Sequence, residues 1–104
     1  MGKVRILLCC GVGMSSGFLA QRARQAAKKK KMDVSVEARS HVDVASYLNQ
    51  IDVLFIGPHY ANELADFQTM AAPYPVKVAV IPKDIYSEIN GEGILDLAEK
   101  LMNE

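Results

Sequence analysis

Lys3-Val-Arg-Ile-Leu-Leu-Cys9, followed by Cys10-Gly-Val-Gly-Met-Ser-Ser-Gly17, is the stretch on which the fold turns. In an extended chain Val4, Ile6 and Leu8 share one face, and Leu7 and Cys9 add apolar groups to the other. A strand apolar on both faces belongs inside a parallel sheet. The glycine-rich run after it reads as a loop. From about Ser15 the spacing turns helical and continues to about Lys30. Phe18, Leu19, Ala23, Ala26 and Ala27 are predicted to face inward, with Arg22, Gln25 and Lys28 outward. Ser15 or Ser16 is the expected N-cap.

Working outward, residues 33–39 alternate strictly, so Val34, Val36 and Ala38 are predicted to line the core side of an outer strand. Ser40-His-Val-Asp43 has capping-box spacing and is expected to open a short helix to about Leu48. Residues 52–56 predict a third strand, closed by Gly57-Pro58. A helix is expected from about Tyr60 to Ala71, with Leu64, Phe67 and Ala71 on one face and Pro73 and Pro75 beyond its end. Residues 76–81 predict a fourth strand, residues 83–90 a turn and loop, and residues 93–102 a last helix with Ile94, Leu97, Ala98 and Leu101 inward. The alternation predicts an α/β fold: a single open four-stranded parallel sheet with helices on both faces. In such folds the site lies beyond the carboxyl ends of the strands.

Length and composition bound the function. The 104 residues, half of them hydrophobic and 23% charged, suit one domain over residues 1–104. No apolar run approaches the roughly 20 residues of a membrane span, so direct membrane insertion is not expected. No signal-peptide pattern is visible, and the expected location is cytoplasmic. The net charge is zero but uneven: residues 1–40 carry nine Lys/Arg against Asp33 and Glu37, and residues 41–104 carry three Lys against ten Asp/Glu. Solvated helix faces explain this plainly, and a basic half turned towards an anion explains it more pointedly. Lys28 to Lys31 fall at the expected end of a helix, where cations suit the dipole. The balance is not that of a nucleic-acid binder. Cys9 and Cys10 are adjacent, a strained spacing for a disulfide, and no Cys/His cluster has the spacing of a metal site. No cofactor is called for, and without a long apolar edge or heptad a monomer is expected.

The chemistry gathers at Cys10, Gly11, Val12, Gly13, Met14, Ser15, Ser16 and Gly17. Glycines let successive N–H groups converge, and such a nest at a helix N-terminus binds a phosphate-like dianion. Cys10 enters this field, which favours its thiolate. A thiolate in a phosphate cradle is a nucleophile set against a phosphoryl group. Cys9, inside the strand, is expected to pack as a small hydrophobe. The dinucleotide fingerprint fails, because its third glycine falls at Ser16, and the nucleotide-binding loop fails for want of the lysine. A small cysteine phosphatase needs an arginine six residues after its cysteine. Ser16 stands there counting from Cys10, and Ser15 counting from Cys9. Without that guanidinium the transition-state charge is poorly held. The loop therefore suits a carrier that keeps a phosphocysteine until an acceptor arrives.

At this point the chain resembles the enzyme IIB components of the sugar phosphotransferase system (PTS), in their lactose/cellobiose (chitobiose) class. Cys10, Gly13, Met14, Ser15 and Ser16 match that family's Cys-x-x-Gly-Met-Ser pattern after the first strand. The likeness extends to Ile56-Gly57-Pro58 and Gly91-x-Gly93, and departs at Gly17, where serine is usual, and at Cys9, where an apolar residue is commoner. The resemblance implies loop topology like that of the low-molecular-weight phosphatases. It implies that Cys10 accepts a phosphoryl group from a phosphohistidine of enzyme IIA. Cys10 then passes it to a sugar, a β-linked disaccharide such as cellobiose or lactose, held by membrane enzyme IIC, through which the chain meets the inner face of the membrane. The competing classes are a small phosphatase or arsenate reductase-like enzyme on the same fold, and a non-catalytic regulator. His59, after the third strand, is the accessory candidate, as a donor to the phosphoryl or part of a docking face. His41 reads as part of a helix cap. Met14 is a candidate partner contact, and Tyr60, Tyr74 and Tyr86 are candidates for the rim.

Overall fold

The computed structural model of the chain describes residues 4–9 and 14–103, with Met14, Ser15 and Ser16 defined by their backbone alone. β1 (Val4–Cys9) pairs in parallel with β2 (Val34–Arg39) on one side and β3 (Val53–Ile56) on the other. β4 (Lys77–Val80) adds to β3, also in parallel, and the sheet order is β2-β1-β3-β4. Ile6 to Cys9 and all of β3 are buried, as two-faced apolar strands require.

The period of two divides β1 between two cores. Ile6 and Leu8 join Val53 and Phe55 against Leu19, Ala20, Ala23 and Ala27 of α1 (Met14–Lys29) and Ile94, Leu95 and Ala98 of the last helix. Leu7 and Cys9 join Leu54 and Ile56 on the other face, against Val44 and Leu48 and against Phe67 and Ala71. Helices thus cover both faces, and Cys9 packs fully buried, as expected of a small hydrophobe.

Several local expectations shift. Phe18 is 54% exposed, not inward. It stands four residues before Arg22, on α1's outer side, and the inward stripe is filled by Leu19, Ala20, Ala23 and Ala27. Ser40 makes no side-chain cap; the Asp43 N–H bonds its carbonyl at 2.9 Å, giving a 3-10 turn at His41–Asp43 before the single turn of α2 (Val44–Tyr47). A 3-10 stretch at Pro58–Glu63, non-helical at Tyr60, precedes α3 (Leu64–Ala71). Residues 83–90 are not all loop, for α4 spans Lys83–Ser87. The last helix, α5, begins at Gly91 and runs to Met102, capped by the Asn90 side chain, which accepts from the Gly93 N–H at 3.0 Å.

Candidate functional site

β1 and β3 lie side by side, and the helices that follow them cover opposite faces of the sheet, α1 on one and α3 on the other. In open parallel sheets the usual ligand position is the crevice beyond the carboxyl ends of two such strands, which here are β1 and β3. Cys9 closes β1, and its carbonyl accepts from the Gly57 N–H at 2.9 Å, so the two strand ends are tied where residue 10 departs. Cys10, Gly11, Val12 and Gly13 lie outside the described residues.

The helix after them begins at Met14. Ser15 and Ser16, expected as caps, are instead inside the first turn, because the helix starts one residue earlier than the periodicity suggested. The first-turn N–H groups of Met14, Ser15, Ser16 and Gly17 have no partner within the helix and point out of its amino end. That turn carries no acidic side chain, so the dipole's positive end is not offset there. A helix amino end of this kind suits an anion. At Gly17 an added Cβ meets nothing within 4 Å among the described residues, so sterics do not demand a glycine and a serine fits.

Two imidazole–tyrosine contacts flank the crevice. His59, exposed in the turn after β3, stands edge-on to Tyr86 of α4, with ring centroids 5.6 Å apart and planes at 72°. His41, just past β2, meets Tyr60 at 5.4 Å and 31°. The sequence treated His41 as part of a cap. No local signal marks it, because only the strand order brings the end of β2 and the end of β3 together over β1. Of the three candidate rim tyrosines, Tyr60 and Tyr86 are at this end, whereas Tyr74 lies beside Val76 and Lys77, at the amino end of β4.

Arg39 is the register partner of Cys9. Its Nε donates to the Tyr47 hydroxyl at 2.8 Å and its Nη1 to the Ala38 carbonyl at 2.9 Å, with Glu37 at 3.7 Å. The hydrogen bond to Tyr47 first, and then the negative charge of Glu37, raise the guanidinium's pKa above its ordinary value, and these contacts engage it on the α2 side. The charge asymmetry does not converge on the crevice either. Lys28 and Lys29 fall in the last turn of α1, at the far end from its amino terminus, and Lys30 reaches Glu92 at 3.5 Å and Asp96 at 3.8 Å on α5. The basic and acidic halves of the chain partly neutralise each other there. A mixed-charge groove of about 580 Å³ between α1 and the α4–α5 turn, lined by Arg22, Lys29, Glu88 and Glu92 among others, lies along the outer side of α1 and not at the strand ends.

With this geometry in hand, the likenesses to known proteins are consistent. A family model described as "PTS system, Lactose/Cellobiose specific IIB subunit" matches residues 5–97. The galactose-specific EIIB component of the PTS from Lactococcus lactis subsp. cremoris is 31% identical over 103 residues, covering 94% of this chain and 95% of that protein. The solution structure of the cellobiose-specific phosphotransferase IIB component from Borrelia burgdorferi matches with a TM-score of 0.80 at 29% identity, over 98% of this chain and 94% of that one. The lactose-specific EIICB component of Lacticaseibacillus casei is 23% identical over 99 residues, which cover 93% of this chain but 17% of that longer protein. A parallel sheet in the order β2-β1-β3-β4, a helix amino end facing the exit of β1 and a family match across nearly the whole chain agree on one conclusion: the chain belongs to the lactose/cellobiose-specific IIB subunits of the PTS and is a phosphotransferase of that system.

Proposed function

We propose that the chain is the phosphoryl carrier between enzyme IIA and enzyme IIC, with Cys10 as the nucleophile. The Cys10 thiolate attacks the phosphorus of a phosphohistidine on IIA in line. A P–S bond forms, the P–N bond breaks, and the electron pair returns to the imidazole. In the second step a hydroxyl oxygen of a sugar held by IIC attacks the same phosphorus. The P–S bond breaks, the thiolate leaves, and the hydroxyl proton passes to a base on the acceptor side. The backbone N–H groups of Gly11, Val12, Gly13, Met14, Ser15, Ser16 and Gly17 hold the phosphoryl oxygens, the hydroxyls of Ser15 and Ser16 add donors, and Met14 meets the partner. His59 serves as an accessory donor or docking contact. The sugar is a β-linked disaccharide of the cellobiose or lactose type, and docking on IIC brings the chain to the inner face of the membrane.

The observation that carries this reading is the amino end of α1, free of acidic side chains, facing the exit of β1 where the sequence has cysteine. The absence of arginine from the position six residues after Cys10 disfavours hydrolysis, since the charge of a water-attack transition state lacks its bidentate partner. The fusion of a IIB-like segment into an EIICB relative supports a IIC partner. The test is incubation with phosphorylated IIA, followed by intact-mass measurement. The wild-type chain and Cys9→Ala are expected to gain one phosphoryl group, and Cys10→Ser none. Equal gain by Cys10→Ser overturns the reading.

A further inference from the structure

We infer that His41 is a positioning residue for phosphoryl transfer: its ring contact with Tyr60 clasps the loops after β2 and β3 across the carboxyl end of β1. The inference rests on the carrier reading above.

β2 and β3 are not neighbours; β1 lies between them. Two strand spacings separate them by roughly 9–10 Å. Yet the rings of His41 and Tyr60, each only a few residues beyond its strand, have centroids 5.4 Å apart. The two side chains therefore reach across the carboxyl end of β1 and link the segments that follow β2 and β3. Each side of the clasp is anchored. The Tyr60 N–H donates to the Gly57 carbonyl at 2.9 Å, and the Gly57 N–H donates to the Cys9 carbonyl at 2.9 Å. The Tyr60 ring also packs on the core formed by Leu7, Cys9, Leu54 and Ile56. On the other loop the Asp43 N–H is bonded to the Ser40 carbonyl, and Val44 is fully buried in the same core. The chain from Tyr60 to Cys9 is thus two backbone hydrogen bonds long, and the ring contact adds the β2 loop to it.

The clasp stands on the α2/α3 face, whereas the first-turn amides of α1 arrive from the opposite face. The crevice then has an anion-holding side and a bracing side. Phosphoryl transfer needs the sulfur, the phosphorus and the incoming atom aligned to a fraction of an ångström. A brace on one wall raises the fraction of molecules in which that alignment is ready. Loss of an aromatic pair of this kind shifts a two-state population by about two- to tenfold.

Two measurements test the clasp. The first is single-turnover phosphoryl transfer from phosphorylated IIA. His41→Ala is expected to slow the rate at saturating donor by about two- to tenfold, with the half-saturating donor concentration unchanged. His41→Phe, which keeps a ring, restores the rate. Tyr60→Leu matches His41→Ala, and the double variant is no slower than either. The second needs no donor: amide hydrogen exchange at Tyr60 rises two- to tenfold in His41→Ala and recovers in His41→Phe. A wild-type rate in His41→Ala, no rescue by phenylalanine, an effect confined to donor affinity, or unchanged exchange at Tyr60 each overturns the clasp. A wild-type chain that gains no phosphoryl group overturns the carrier reading instead, whatever the exchange shows.

Discussion

Lys31 turns the chain with φ of 56°, a left-handed conformation that side chains with a Cβ adopt at a cost. It stands just past α1, where the Met32 N–H bonds back to the Ala27 carbonyl at 2.8 Å and the Lys31 N–H to the Lys28 carbonyl at 3.2 Å, a helix-ending pattern that usually employs glycine. The side chain is exposed, so nothing is lost by removing it. Lys31→Gly is expected to stabilise the chain by about 0.5–1 kcal/mol, read as a higher urea midpoint. Ile89, at φ of 51°, has the same conformation after α4, but its side chain packs on the core beneath α1 and α5. There burial offsets strain, and glycine brings no comparable gain. Cys9 shows a like division of labour. Its thiol is sealed in the α2/α3 core, so of the two adjacent cysteines it is the packing residue. This is why the phosphoryl gain is expected to survive Cys9→Ala.

α5 crosses α1 at Gly91. A Cβ at that position would stand 2.3 Å from the Arg22 carbonyl carbon and 2.4 Å from the Ala23 nitrogen, both backbone atoms that do not yield. Gly91 is thus explained by packing. Gly91→Ala is expected to destabilise the chain by about 1–3 kcal/mol in urea unfolding, with a wild-type rate of phosphoryl gain in the molecules that remain folded. The short α4 escaped the sequence reading because one turn and a half offers no period to detect. The misplaced Phe18 has a different origin. A helix with alanines at 20, 23, 26 and 27 leaves its inward stripe ambiguous, and the tight approach of α5 selects the small side chains for the interior.

Across the whole molecule, stability is centred on β1 and β3, which are paired on both sides and buried on both faces, with β2 and β4 at the edges. Amide exchange is expected to be slowest at Leu7, Leu8, Leu54 and Phe55 and faster along β4, whose residues are exposed or partly so; slower exchange in β4 than in β1 contradicts this layering. The proposed site lies at the carboxyl pole of these strands, the part of the fold expected to open least. The residues alone determined the alternation of strands and helices and the two-faced burial of β1, because periodicity is a local property of the chain; the glycine-rich run read as a loop to Gly17 is instead helical from Met14 onward. The family pattern at Cys10, Gly13, Met14, Ser15 and Ser16 is likewise a local signature. Only the tertiary structure decided the order β2-β1-β3-β4, and with it the meeting of His41 with Tyr60, the outward turn of Phe18 and the distance of the lysine run from the crevice. The reason is that periodicity states which face of an element is buried. Which elements become neighbours depends on how all the crossovers pack at once.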